Sequence, residues 1–232
     1  MRFKIFILLS VITLGMTQVV CAENVLPSEL AMLDSDIRQV ILVTVDKSSD
    51  VNASISLWRK SSEDSKEVWS QFNSEPIPAV VGRNGLAPAG QKREGDGRTP
   101  TGKYEIYRSF GYDEVIKTGL EYRQATALDF WIDDPKSVWY NQWVSGRIPS
   151  VSYEKLRRED DLYKYAIIIE YNTDPVISGN GSAIFMHVWK GAGQSTAGCV
   201  AMAEMDMVKL LNWLKLDHHP VVIIRSSEVK SK

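Results

Sequence analysis

Two residues of this 232-residue chain have the type and setting that covalent chemistry needs, Cys199 and His187. The sequence holds 2 cysteines, and the other, Cys21, falls in an N-terminal stretch that reads as a removable leader. Exported proteins use cysteines in pairs as staples, so a leftover thiol is either a partner for another chain or a reactive group. The plainer alternative is a buried, inert cysteine acting as a small hydrophobe. His187 sits in the apolar run Ser182-Ala-Ile-Phe-Met-His-Val-Trp189, where alternation puts it on one face with Phe185 and Trp189. Alone, such a histidine is most often a satisfied core residue. The two readings change when the residues are taken together. Cys199 follows in Ser195-Thr-Ala-Gly-Cys-Val-Ala-Met202, and the connector Gly191-Ala-Gly-Gln194 can fold the chain back so that sulfur and imidazole meet. Gly198 allows a close backbone approach or a positive φ just before the sulfur. A thiol nucleophile needs a group that takes its proton, and an imidazole in hydrogen-bond reach does so. The expected result is an ion pair that attacks a carbonyl and forms a thioester. The amides from Ala197 to Cys199 are the natural oxyanion donors, and Ser195 or Thr196 is the expected orienting group for His187, since a base needs a third partner.

The N-terminus sets the expected compartment. Arg2 and Lys4 precede the apolar run from Ile5 to Leu14, and Val20-Cys-Ala22 closes the segment. That pattern predicts a secretory signal peptide over residues 1–22, cut after Ala22. The run is short of the ~20 apolar residues a bilayer span requires, so no integral membrane segment is expected after cleavage. A lipid anchor on Cys21 is disfavoured, because Val20 is not small and Gln18 stands where leucine is usual. The expected location is the periplasm or cell-wall compartment. A net charge of −2 without a long basic run argues against a nucleic-acid partner. His218-His219 lack cysteine or acidic companions at ligand spacing and fall at a helix end, where histidine is favourable anyway, so no metal site is expected.

The elements that must position Cys199 and His187 read mainly as strands. Residues 23–38 form a lead-in with a short helix. Gln39 to Val45 is rich in β-branched residues, Ala53 to Trp58 alternates, and Val68 to Phe72 and Ile77 to Val81 continue a meander. Gly82 to Gly102 carries too many glycines and prolines for a regular element and predicts a long shaped loop. Lys103 to Tyr107 reads as a strand, and Phe110 to Glu159 has no clean period. Tyr165 to Tyr171 and Ser182 to Trp189 are near-continuous apolar strands expected at the centre. Met207, Leu210, Leu211 and Leu214 predict one amphipathic helix from about Glu204 to Leu216. Val221 to Ile224 is a last strand, and residues 226–232 a polar tail. The fold class is therefore β-rich mixed α+β, in one domain over residues 39–225.

With these residues in place, the chain resembles the L,D-transpeptidase (YkuD) family. Thr196-Ala-Gly-Cys-Val200, preceded by Ile184-Phe-Met-His187 behind Gly181-Ser182, is similar to its active-site signature. The likeness is to the branch reading His…Thr-Ala-Gly-Cys, and Ala197 and Ala201 depart from the majority pattern. Gly82-x-x-Gly85…Lys92-x-Glu94-Gly-Asp-Gly-x-Thr-Pro-x-Gly102 resembles a further family segment, as do Asp134 with Tyr140-Asn141 and Glu170-Tyr-Asn172. The resemblance implies a β-sandwich or flattened barrel with few helices and the site at one open end. It implies attack by Cys199 on the peptide bond after a meso-diaminopimelate residue of a peptidoglycan stem, with His187 as base and no cofactor. The acceptor would be a second stem, a D-amino acid or a protein lysine; water would make the enzyme a carboxypeptidase-like hydrolase. A wall-binding module that kept the fold without catalysis is the other class. Lys92, Arg93, Glu94, Asp96 and Arg98 are candidates to contact the stem's charges, although Asp96 also suits a bond to its own turn. Tyr140 and Asn141 are candidates to line the substrate groove.

Overall fold

The computed structural model describes residues 26–63, 66–147 and 150–228. The expected signal peptide, Cys21 and the last residues of the polar tail lie outside them. The strands that open the chain are β1 (Gln39–Val45), β2 (Asn52–Glu63), β3 (Lys66–Gln71) and β4 (Ile77–Val80). Short strands follow: β5 (Leu86–Ala87), β6 (Thr99–Pro100), β7 (Gly102–Glu105), β8 (Arg108–Gly111) and β9 (Glu121–Gln124). Next come β10 (Asp129–Ile132), β11 (Trp143–Ser145), β12 (Tyr153–Lys155) and β13 (Tyr165–Ile168). The site strands β14 (Phe185–Val188) and β15 (Val200–Met202) precede helix α1 (Glu204–Trp213) and β16 (Val221–Ser226).

Eleven strands make one curled mixed sheet in the order β7-β16-β1-β2-β4-β15-β14-β13-β8-β9, with β3 off this path and paired to the Trp58–Glu63 end of β2. Its architecture is mainly β as expected, the sandwich or flattened barrel taking the form of a half-barrel, with a single α-helix among the described residues. The alternating sequence of β2 fits an antiparallel neighbour on each side. The apolar run of β14 fits a strand covered on both faces, and it lies between β13 and β15. Parallel pairing of β14 with β15 sets Met186 opposite Val200 and His187 opposite Ala201. Cys199 thus ends the connector from His187 and stands at the entrance to β15. A smaller sheet, β11-β10-β12, covers the far side of the site.

Three departures from expectation have physical causes. Helix α1 stops at Trp213 because Leu214 turns to extended backbone at ψ 141. The Gln39 side chain holds that end, donating to the Trp213 carbonyl and accepting the Lys215 amide, each at 2.8 Å. The long glycine-rich loop is more ordered than its composition implies, since β5 and β6 pair in parallel within it. The lead-in carries a 3-10 turn, Ser28–Met32, whose Leu30 packs with Ile37, Val40 and Trp58.

The core has two main parts. One lies between the sheet and α1, with Met207, Leu210 and Leu211 meeting Ile41, Val43, Ile167 and Val222. The other is aromatic and includes the sulfur: Phe110, Trp131, Tyr163, Phe185 and Cys199 pack together. Phe185 is fully buried and meets Phe110, Trp131 and Tyr163 edge-to-face with centroids 5.3, 5.1 and 5.6 Å away. Truncating such a ring typically costs about 3–5 kcal/mol.

Candidate active site

The thiol is held by backbone atoms. Cys199 Sγ accepts the Phe185 N–H at 3.4 Å and donates to the Ala183 carbonyl at 3.3 Å. Ala183 has φ 53, a left-handed conformation that costs a β-carbon residue about 1–2 kcal/mol. Asn141 sustains it: its Oδ1 accepts the Ala183 N–H at 3.1 Å and the Trp131 Nε1–H at 2.8 Å. The Cys199 carbonyl is fixed by two hydroxyls, Thr196 at 2.7 Å and Thr99 at 3.3 Å. Thr196 Oγ1 also accepts the Gly198 N–H at 3.0 Å. Gly198 has φ +152, and a β-carbon there would lie 3.0 Å from the Arg98 carbonyl oxygen. Both of the expected reasons for glycine before the sulfur therefore apply.

His187 is buried, with its ring edge-to-face against Tyr163 at 5.2 Å. Its Nδ1 lies 2.7 Å from the Val188 carbonyl. A carbonyl can only accept, so Nδ1 carries the proton and Nε2 is left as the basic nitrogen. This orienting role was expected of Ser195 or Thr196. Thr196 is instead committed to the Cys199 carbonyl and the Gly198 amide, and Ser195 is exposed. The oxyanion expectation narrows for the same reason. The Gly198 N–H is consumed by Thr196, whereas the Ala197 and Cys199 amides make no hydrogen bond among the described residues.

The electrostatics replace the expected ion pair with a neutral one. Burial, with the Glu154 carboxylate adding to it, pushes the Cys199 thiol up to about 12. Burial draws His187 down to about 4 against the pull of the Val188 carbonyl. No hydrogen bond joins Cys199 to His187 among the described residues. At neutral pH these shifts leave a thiol and an unprotonated imidazole lining one cavity, a setting for general-base attack in which the proton leaves as the sulfur bonds.

A cavity of about 500 Å³ opens on both residues and is lined by Lys92, Ser195, Thr196, Ala197, Gly198, Cys199 and His187. Its volume lies in the range of small-ligand sites. Several of the sequence candidates sit elsewhere. Asp96 organises its own loop: it accepts the Arg93 and Arg98 amides and Lys92 Nζ, the last at 2.7 Å. Burial would raise its carboxyl, but Lys92 and those amides hold it below the usual range. Arg98 points to solvent. Tyr140 and Asn141 are buried beneath the cavity: the Tyr140 hydroxyl accepts the Gly181 N–H at 3.0 Å, and Asn141 holds Ala183. They position the wall that carries the thiol's acceptor. Residues not singled out from the sequence complete the cavity, among them Asp133, Glu154, Arg158 and Tyr163. Asp133, Glu154 and Arg158 lie in the aperiodic middle of the chain and Tyr163 just beyond it, and none offered a local signal. Thr99 was visible only as part of Thr-Pro-x-Gly.

Among the described residues, no helix is long and apolar enough to cross a membrane. Among curated proteins no match is found. Among solved structures the chain is similar to the helical cell shape determining protein Pgp2 from Campylobacter jejuni, at 16% identity and a TM-score of 0.40. That likeness covers 84% of this chain and 50% of the other, so this chain spans half the length of that structure. Residues 51–223 match the YkuD family, described as the L,D-transpeptidase catalytic domain. With that match over most of its length and a mainly β half-barrel around the cavity, the chain belongs to the YkuD family of L,D-transpeptidase catalytic domains.

Proposed function

We propose that the protein is an exported cysteine L,D-transpeptidase acting on peptidoglycan stem peptides in the periplasm or cell wall, with residues 39–225 as its catalytic domain. The observation that carries the reading is the pairing, in one cavity, of a lone described thiol with a histidine whose Nδ1 is committed to a carbonyl. In the first half-reaction Cys199 Sγ bonds to the carbonyl carbon after meso-diaminopimelate while its proton passes to His187 Nε2. For this the thiol hydrogen leaves the Ala183 carbonyl and swings toward the imidazole. The tetrahedral oxyanion is received by the Ala197 and Cys199 amides. The carbon–nitrogen bond then breaks, the departing D-alanine amine takes the proton from His187, and a thioester remains. An acceptor amine, having given a proton to His187, attacks the thioester and regenerates the thiol. Water in that place would release the shortened stem instead.

Intact-protein mass spectrometry of the mature protein, incubated with a purified tetrapeptide stem and separately with a carbapenem, tests the reading. The expected outcome is a covalent adduct that maps to Cys199 and is absent in Cys199→Ala. A folded protein that forms neither adduct would move the assignment to a wall-binding module.

A further inference from the structure

The cavity beside the thiol is rich in charge, and its charges are unequally partnered. Of its cations, Lys92 is held by Asp96 at 2.7 Å, and Arg158 makes paired bonds to Asp160 at 2.8 and 2.6 Å. Of its carboxylates, Glu94 accepts the hydroxyls of Tyr140 and Ser182. Among the described residues Glu154 accepts only the hydroxyl of Tyr163. Asp133 is half-buried and lines the cavity, its carboxylate accepts nothing among the described residues, and its Oδ1 is buried without a partner. Neither Asp133 nor Glu154 has a cation within ion-pair distance among the described residues. A buried carboxylate oxygen left bare is expensive, and such groups call for a specific explanation.

The backbone places these two carboxylates together. Trp131 on β10 stands opposite Glu154 on β12, so both side chains rise from one face. Asp133 follows directly on the end of β10 and lines the same cavity as Glu154. Trp131 meets Phe185 edge-to-face at 5.1 Å, which turns this face toward the aromatic cluster around Cys199. Burial holds the Glu154 carboxyl above its usual range against the pull of the Tyr163 hydroxyl and the Arg158 guanidinium, and Asp133 and Glu94 add to the upward push.

We propose that Asp133 and Glu154 form a specificity subsite for a primary ammonium group on the donor substrate. The proposal rests on the transpeptidase reading and names the group by which the donor is selected. An acceptor amine must be neutral to attack, whereas paired carboxylates hold an amine as ammonium. The subsite therefore serves an amine that stays unreacted, such as the side-chain amine of a diaminopimelate residue beside the scissile bond.

The Cys199→Ala protein cannot be acylated and so reads binding alone. It would be titrated with a meso-diaminopimelate tetrapeptide stem bearing a free side-chain amine, with the same peptide acetylated there, and with the peptide dimethylated there. The free and dimethylated peptides, both cationic, should bind about tenfold or more tighter than the acetylated one. Asp133→Asn in the same background should abolish the preference. Glu154→Gln, which keeps an acceptor for Tyr163, should reduce it. Equal affinity for all three peptides, or a preference that survives Asp133→Asn, overturns the subsite. Should Asp133→Asn fail to fold, the three peptides and Glu154→Gln decide the matter. Failure of the transfer reaction reads separately: an ammonium preference without any adduct in the native protein would remove the reaction and leave the subsite standing.

Discussion

Asp129 and Asp133 stand two residues either side of Trp131, at the start of β10 and just past its end, yet their surroundings are opposite. Asp129 accepts the amide and hydroxyl of Thr126 at 2.8 and 2.6 Å and the Trp143 indole N–H at 2.8 Å. The Ser145 hydroxyl also donates to it, and Arg123 stands 3.2 Å away. Burial would raise this carboxyl, but the hydroxyls and amide around it draw it down to about 2. Asp133 has no such partner. The contrast separates groups that hold the fold together, which are saturated with hydrogen bonds, from groups left open to act on something else. The thiol site follows the same division. The Cys199 carbonyl is doubly bonded by threonines, while the Ala197 and Cys199 amides nearby have no partner among the described residues.

The largest effect expected from that contrast is at His187. His187→Ala should slow acylation by about 10²–10⁴-fold while the melting temperature moves little, because the lost group serves the reaction. Stopped acylation assays alongside calorimetry check this, and a rate within a few-fold of the parent would take His187 out of the mechanism. The neutral thiol comes next. Alkylation of Cys199 by iodoacetamide should climb roughly tenfold per pH unit across neutral and mildly alkaline pH, following the thiolate fraction. A plateau beginning below pH 7 would instead reveal an ion pair. At Asp129 the consequence is for stability. Asp129→Asn should cost about 1–3 kcal/mol in denaturant unfolding and leave the rate per folded molecule unchanged. Asp133→Asn should leave stability within about 0.5 kcal/mol of the parent or raise it. The stabilisation from Asp129 is present above its unfolded value near 4 and is lost as pH falls toward 2. Parent and Asp129→Asn should therefore converge over that interval. The smallest effect is at Thr99, where Thr99→Val should cost about 1 kcal/mol and slow acylation only several-fold, since Thr196 still holds the Cys199 carbonyl.

What the sequence disclosed follows from the range of each signal. The strands over Gln39 to Val45 and Phe185 to Val188 were legible because side-chain alternation and apolar runs are local. The nearness of Cys199 and His187 was legible because a short glycine-bearing connector joins them. Thr99 grips a carbonyl one hundred positions away, and no local pattern marks it. Asp133 and Glu154 come together through pairing of β10 with β12, strands too short to show a period. Tyr140 and Asn141 were visible as residues but not in their role. Their side chains point beneath the cavity, and that direction depends on Asn141 adopting φ 56. The charge state was hidden for a similar reason, since composition does not reveal that Cys199 and His187 are both buried.

The bond from His187 Nδ1 to the Val188 carbonyl has a kinetic corollary on the proposed mechanism. It leaves the imidazole a single port for protons. The nitrogen that collects the thiol's proton must deliver it to the departing amine before it can serve the acceptor, so both amines come and go through the same space. Turnover would then be ping-pong. The released D-alanine would compete with the acceptor for the acylated enzyme, and parallel lines in double-reciprocal plots would be the signature of that shared doorway.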